Sequence, residues 1–263
     1  MAVLKQFAIL FVLGSLGIVL FVMTSIPAIQ QQLATLPAEV AAQVPPLWVI
    51  LMLQGVQNAI LLAIAILVGI FCTRPLGLRS HLLERWVSYP PKSTSFATEV
   101  KWSLGLGGVT TVVILLVNRL MEPALPPALQ AANRGEANWL NTLTAMLYGG
   151  ITEELLMRWG LMSLLAWAGW KLLQRRATSP GAAIYWGAIA LTAVLFGLLH
   201  LPFTATIAPI TTWVVIRAVL LNGIAGLAFG WLFWQYSLEA AMLAHISFHA
   251  LIFVLNLLHV QAI

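Results

Sequence analysis

The sequence predicts an all-α membrane protein, a polytopic bundle of about seven transmembrane helices with room for an eighth. Three observations predict it. Of 263 residues, 61% are hydrophobic and 8% are charged, whereas a soluble domain carries about 25% charged residues. The mean hydropathy is +0.95, so most of the surface requires an apolar solvent. Charge is also missing from stretches long enough to cross a bilayer, which takes roughly 20 apolar residues. None falls between Lys5 and Glu39, between Glu39 and Arg74, or between Arg176 and Arg217.

These gaps place spans at about 7–28, 47–72, 102–121, 139–170, 181–201, 211–234 and 238–258. The first exceeds the 7–15 apolar residues of a signal sequence and reads as a permanent helix. Between the second and third, the stretch from Thr73 to Val100 holds Arg74, Arg79, Arg85, Lys92 and a Pro90-Pro91 pair. It reads as an extramembrane loop with a short amphipathic helix around Leu76–Val87. The third span has the shortest charge-free core, Trp102 to Asn118. The apolar run Leu201–Ile210 lets the fifth span continue past a kink at Pro202.

Loop charges set the orientation. With the N-terminus inside, nine Lys and Arg residues fall on the cytoplasmic side (Lys5, Arg74, Arg79, Arg85, Lys92, Lys101, Lys171, Arg175, Arg176). Arg119 and Arg134 fall outside, and Arg158 and Arg217 lie within spans. This bias is the positive-inside pattern. It explains the net charge of +5 without nucleic acid. No internal repeat of the kind that marks many transporters is present. We divide the chain into N-terminal helices with the basic loop, 1–138, and a core, 139–263, forming one structural unit. All eight acidic residues are Glu, which argues against Asp-based sites. The single Cys72 excludes an internal disulfide or a cysteine metal cluster.

Ionisable groups inside spans mark function by default, because each costs about 2.5–3.5 kcal/mol near the bilayer centre. The fourth span holds Glu153, Glu154 and Arg158. Helix spacing puts Glu154 and Arg158 on one face as an i, i+4 pair, with Glu153 turned about 100° away. Glu154 is therefore a positioning residue, and Glu153, without a partner on its own helix, is the candidate base. The bland alternative is a buried salt bridge that only orients helices. His200 ends the fifth span, and His245 and His249 lie one turn apart in the seventh. His81, in the loop, and His259, at the C-terminal end, read as solvated. Arg217, Asn222, Gln54, Gln57 and Asn58 read first as helix–helix hydrogen-bonding groups, and Gly149-Gly150 as a place of close packing or bending. At 1.5 Å per residue, Glu153 lies roughly 21 Å from the outer end of its span. His245 lies about 10 Å from the inner end of its own, and His200 lies near the outer end of the fifth. On straight spans these depths do not coincide.

Glu153-Glu154-x-x-x-Arg158, then Phe196-x-x-x-His200, then His245 with a polar group four residues on, resembles the signature of the CAAX-processing endopeptidase and bacteriocin-immunity family, also called CPBP or Abi. The resemblance covers about residues 139–258. Two departures stand out: His249 replaces the usual Asn, and Trp159 displaces the Gly that commonly follows the arginine to Gly160. The resemblance implies an intramembrane endopeptidase acting on a membrane-associated polypeptide. Glu153 and His200 would activate water, and His245 with His249 would stabilise the oxyanion. No metal is required on this reading. Zinc held by Glu153, His200 and His245 is the alternative, since family members are often labelled metalloproteases. No nucleic acid partner is expected, and a prokaryotic plasma membrane suits the chain. The competing functions are a non-catalytic immunity or scaffold protein and a proton-coupled transporter.

Overall fold

Where the sequence offers a long apolar run it folds as helix, and polar residues close the ends. The computed structural model describes residues 2–84, 95–133 and 138–258. Its long helices are α1 (Ala2–Ala34), α2 (Leu47–Leu76), α3 (Phe96–Met121), α4 (139–173), α5 (Ala182–Leu199), α6 (Thr212–Gln235) and α7 (Leu238–Leu257). Ser95, Asn138, Thr211 and Ser237 cap α3, α4, α6 and α7 by accepting backbone N–H groups of the first turn. Gly77, at φ 67°, ends α2. There the N–H groups of Gly77 and Leu78 close onto the carbonyls of Arg74 and Thr73, as a left-handed C-terminal glycine permits.

Six of these helices, among the described residues, are long and apolar enough to cross a membrane. By length and composition the expected count of seven thus becomes six; the helix that does not qualify is α4, which runs through the inside of the bundle. Its ends, Trp139–Thr144 and Ser163–Leu173, are α-helical, but Ala145–Glu153 and Leu155–Met162 are π-helical. That middle carries Glu153, Glu154 and Arg158. Composition would not place that middle against lipid, and the fold shields it: α1, α2 and α7 pack against it. Leu155, Arg158, Trp159 and Met162 are fully buried there. The outer helices instead turn Leu, Val, Ile and Phe side chains outward on α1, α2 and α3, as a lipid-facing surface requires. The chain is an integral membrane protein.

Past His200 a short helix, Leu201–Ala205, carries Pro202 in its first turn, so the fifth span continues through a break as expected. The loop after α2 differs from expectation. Instead of an amphipathic helix around Leu76–Val87, residues 77–84 hold one 3₁₀ turn, His81–Leu83, with Leu78, Ser80 and Leu83 fully buried. The remainder of that expected helix, Arg85, Lys92, Pro90-Pro91, Arg134 and His259 lie outside the described residues. The expected loop also gives up its end to α3, which starts at Phe96 and buries Glu99.

Residues 77–84 fold back onto the start of α7. Glu239 accepts from the Ser80 hydroxyl at 2.5 Å and from the His81 and Leu82 N–H groups at 2.9 and 3.1 Å. The Leu238 N–H donates to the Arg79 carbonyl at 3.0 Å. His81 is not solvated: Nε2 meets Glu99 at 2.9 Å and Nδ1 meets Glu84 at 3.1 Å. Partial burial works against a charged ring, but Glu99, then Glu239 and Glu84, outweigh it and hold His81 above the usual histidine range. A raised folded-state value means that the contact stabilises fully below about pH 6.5 and fades as pH rises through the raised value. In detergent, Tm should therefore fall between pH 6 and pH 9 more steeply for the parent protein than for His81→Gln. Equal slopes would show that the ring does not titrate in this contact.

Candidate active site

Four helices bring the candidate residues together around one cavity of about 840 Å³. Glu153 comes from α4, Phe196 and His200 from the end of α5, Asn222 from α6, and His245 and His249 from α7. Phe21 and Gln32 of α1, Gln54 of α2 and Tyr148 of α4 complete the wall. Glu154 and Arg158 stand behind this wall, buried at 0% and 2% exposure.

The hydrogen bonds define what each ring presents. His245 Nδ1 lies 2.8 Å from Glu154 Oε1. Glu154 Oε2 lies 3.2 Å from Arg158 Nε, an ion pair by distance that lacks hydrogen-bond alignment. Arg158 in turn sits over the Phe196 and Phe229 rings, its guanidinium carbon 5.2 and 5.8 Å from their centroids. Glu154 is thus placed to hold the His245 ring in one orientation. With Nδ1–H given to the carboxylate, the neutral His245 ring turns its Nε2 lone pair to the cavity.

His200 is held the same way by different means. Its Nδ1 lies 2.7 Å from the Phe196 carbonyl oxygen. A carbonyl only accepts, so Nδ1 carries the hydrogen and Nε2 is the free lone pair of the neutral ring. His249 stacks on His245 at a centroid distance of 5.0 Å. It makes no hydrogen bond among the described residues, so either nitrogen is free to donate. Glu153 likewise has no hydrogen bond or ion pair there, and it is half-buried at the cavity wall.

Gly149 makes the room for both α7 rings. A Cβ at this position would stand 2.9 Å from His249 Nε2 and 3.3 Å from His245 Nε2. Gly150 serves packing instead, where a Cβ would meet Ile246 Cγ1 at 2.4 Å. The two glycines should therefore separate function from stability. Gly149→Ala is expected to push His249 aside and lower turnover about tenfold or more, with Tm close to the parent. Gly150→Ala is expected to lower Tm as well, because α4 and α7 must part. Paired thermal melts and activity measurements check this; equal Tm losses would contradict it.

Every candidate residue is thus at or directly behind one cavity, including the three whose depths conflict on straight spans. Sequence reasoning missed Tyr148, whose hydroxyl donates to Asn58 at 2.8 Å and whose ring stacks on Phe21. It sits five residues before Glu153, and nothing in its type or flanks singled it out. Asn58 and Gln54 are interhelical as expected, Gln54 accepting from Ser25 at 3.0 Å. Gln57 is exposed. Arg217 donates to Asn118 at 2.8 Å and also lines the cavity; Asn222 bonds its own helix and does the same. Trp159, the residue that displaces the glycine of the pattern, fills the core against Gly69, and Gly160 lets α4 close on Ala65 of α2.

Zinc chemistry would need Glu153, His200 and His245 as donors. Among the described residues, no three His, Cys or Glu side chains gather closely enough to hold an ion.

No curated protein and no solved structure matches the chain. Residues 135–251 match the family model described as type II CAAX prenyl endopeptidase Rce1-like. This stretch, which contains all six motif residues, is thus similar to that family of proteases.

Proposed function

We propose that the chain is an intramembrane endopeptidase that hydrolyses a peptide bond in a membrane-associated polypeptide, at a metal-free site, in a prokaryotic plasma membrane. The observation that carries this reading is the shared cavity, where an unpartnered carboxylate and three imidazoles converge inside the bundle. Glu153 takes a proton from a water that also hydrogen-bonds to His200 Nε2. The resulting hydroxide adds to the scissile carbonyl carbon. His249 donates an N–H to the oxygen that becomes charged, and His245 adds a second donor when its ring is protonated. The proton held by Glu153 then passes to the departing amine as the C–N bond breaks.

An extended substrate segment has N–H and C=O groups that lipid cannot satisfy. The cavity answers this with the Thr24, Ser25, Gln54, Asn141, Thr144 and Asn222 side chains between its aromatic rings. Purified protein incubated with membrane peptides should cleave them, and Glu153→Gln should not. The same preparation should contain no stoichiometric zinc. One zinc per chain, lost in His200→Ala and in His245→Ala, would replace the metal-free mechanism. Cleavage undiminished in Glu153→Gln would remove the hydrolase reading altogether.

A further inference from the structure

The cavity has a side. On α1, its first lining residue, Phe21, stands about 24 Å beyond Lys5 at 1.5 Å per residue. On α2, Gln54 stands about 30 Å from Arg74, and on α3, Ile114 stands about 20 Å from Lys101. Phe196 is about 21 Å along α5 from its start, just past Arg175 and Arg176. Each element gives the same answer: the cavity lies in the half of the bundle away from the basic residues. At its mouth it reaches exposed Gln32, Phe203 and Thr206.

The opposite end is closed by independent contacts. There the loop 77–84, Glu99 at the start of α3 and Ser237 and Glu239 at the start of α7 are joined by hydrogen bonds, with Ser237 donating to Glu99 at 2.9 Å. These contacts bring Arg79, Lys101 and the α6–α7 turn to one end of the molecule. Among the described residues that end carries Lys5, Arg74, Arg79, Lys101, Lys171, Arg175 and Arg176. Among the described residues the cavity end carries Arg119, beside Glu122, as its loop cation. Basic loops stay in the cytoplasm.

We infer that the site opens to the non-cytoplasmic face, so that its substrates are polypeptide segments presented there: translocated chains, or the outward flanks of membrane-anchored proteins. This rests on the hydrolase reading for the word substrate, but not for the sidedness. A polypeptide anchored in the cytoplasmic leaflet would meet the closed, basic end of the bundle.

Accessibility tests the sidedness without any catalysis. Gln32→Cys at the mouth and Arg175→Cys at the basic end, both exposed, are made in the full chain; the native protein, whose one cysteine is buried, is the blank. A membrane-impermeant maleimide added to intact bacterial cells should label Gln32→Cys and spare Arg175→Cys, while inverted vesicles should reverse the pattern. Labelling of Arg175→Cys alone from outside would overturn the inference. A second arm reads the substrate. A single-span reporter carrying one test segment on its outer flank should be cleaved, and the same segment on its cytoplasmic flank should survive. Cleavage of only the cytoplasmic version also overturns the inference. If labelling is as expected but neither reporter is cut, the sidedness stands and the hydrolase reading fails.

Discussion

Glu154→Ala is expected to cost about 3–5 kcal/mol of stability, because it strands a buried cation. Arg158 is 2% exposed, with Glu154 at 3.2 Å, and its remaining neighbours include the faces of Phe196 and Phe229. Removing the carboxylate leaves the guanidinium in a largely apolar interior without its ion-pair partner and, among the described residues, takes away the hydrogen bond of the His245 ring. The measurement is a thermal melt in detergent. A double variant, Glu154→Ala with Arg158→Met, should recover most of the loss, since an apolar pair of similar volume needs no charge balance. A Tm for Glu154→Ala within about 2 °C of the parent would show that the pair contributes little.

The second large effect is kinetic. Glu153→Gln should lower cleavage by about 10²–10⁴-fold, the usual contribution of a positioned general base. Its Tm should stay near that of the parent, because Glu153 has no ion pair or hydrogen bond to lose among the described residues and Gln has the same shape. The neighbouring glutamates should thus behave oppositely, one supporting the fold and one the reaction. A Glu153→Gln protein that cleaves at the parental rate would assign the proton transfer elsewhere.

The pairing behind that expectation was legible in the sequence, because helix spacing alone pairs Glu154 with Arg158 and leaves Glu153 apart. The spans were legible too, since a charge-free run of bilayer length is costly to expose to water and fits the hydrocarbon layer. Depth was not. Straight spans starting at the membrane surface put His245 too near the inner end to meet Glu153. The structure resolves this at the α6–α7 turn, where Tyr236, Ser237 and Leu238 are buried beneath the loop 77–84. The seventh helix therefore starts deep, and seven residues carry His245 to the cavity. A buried turn looks like any short polar break in the sequence. What sinks it is Glu239 gripping a loop some 158 residues earlier. His81 was misjudged for the same reason, because its partners Glu99 and Glu239 are distant in the chain. The altered pitch of α4 was invisible as well, since ordinary α geometry also brings Glu154 and Arg158 together.

That altered pitch constrains how the segment tolerates insertions and deletions. In a π-helical run each turn takes in an extra residue, so the backbone can lose one and still close as an ordinary helix. Deleting a residue just after Gly149, at Ile151 for instance, would leave Glu153 and Glu154 in place. It would swing Tyr148 and Gly149 by about 100° around the axis, replacing the bare backbone beneath the two α7 rings with a bulky side chain. Length changes that a surface loop absorbs freely would here re-index the active wall, so the number of residues in this stretch is as much a part of the site as their identities.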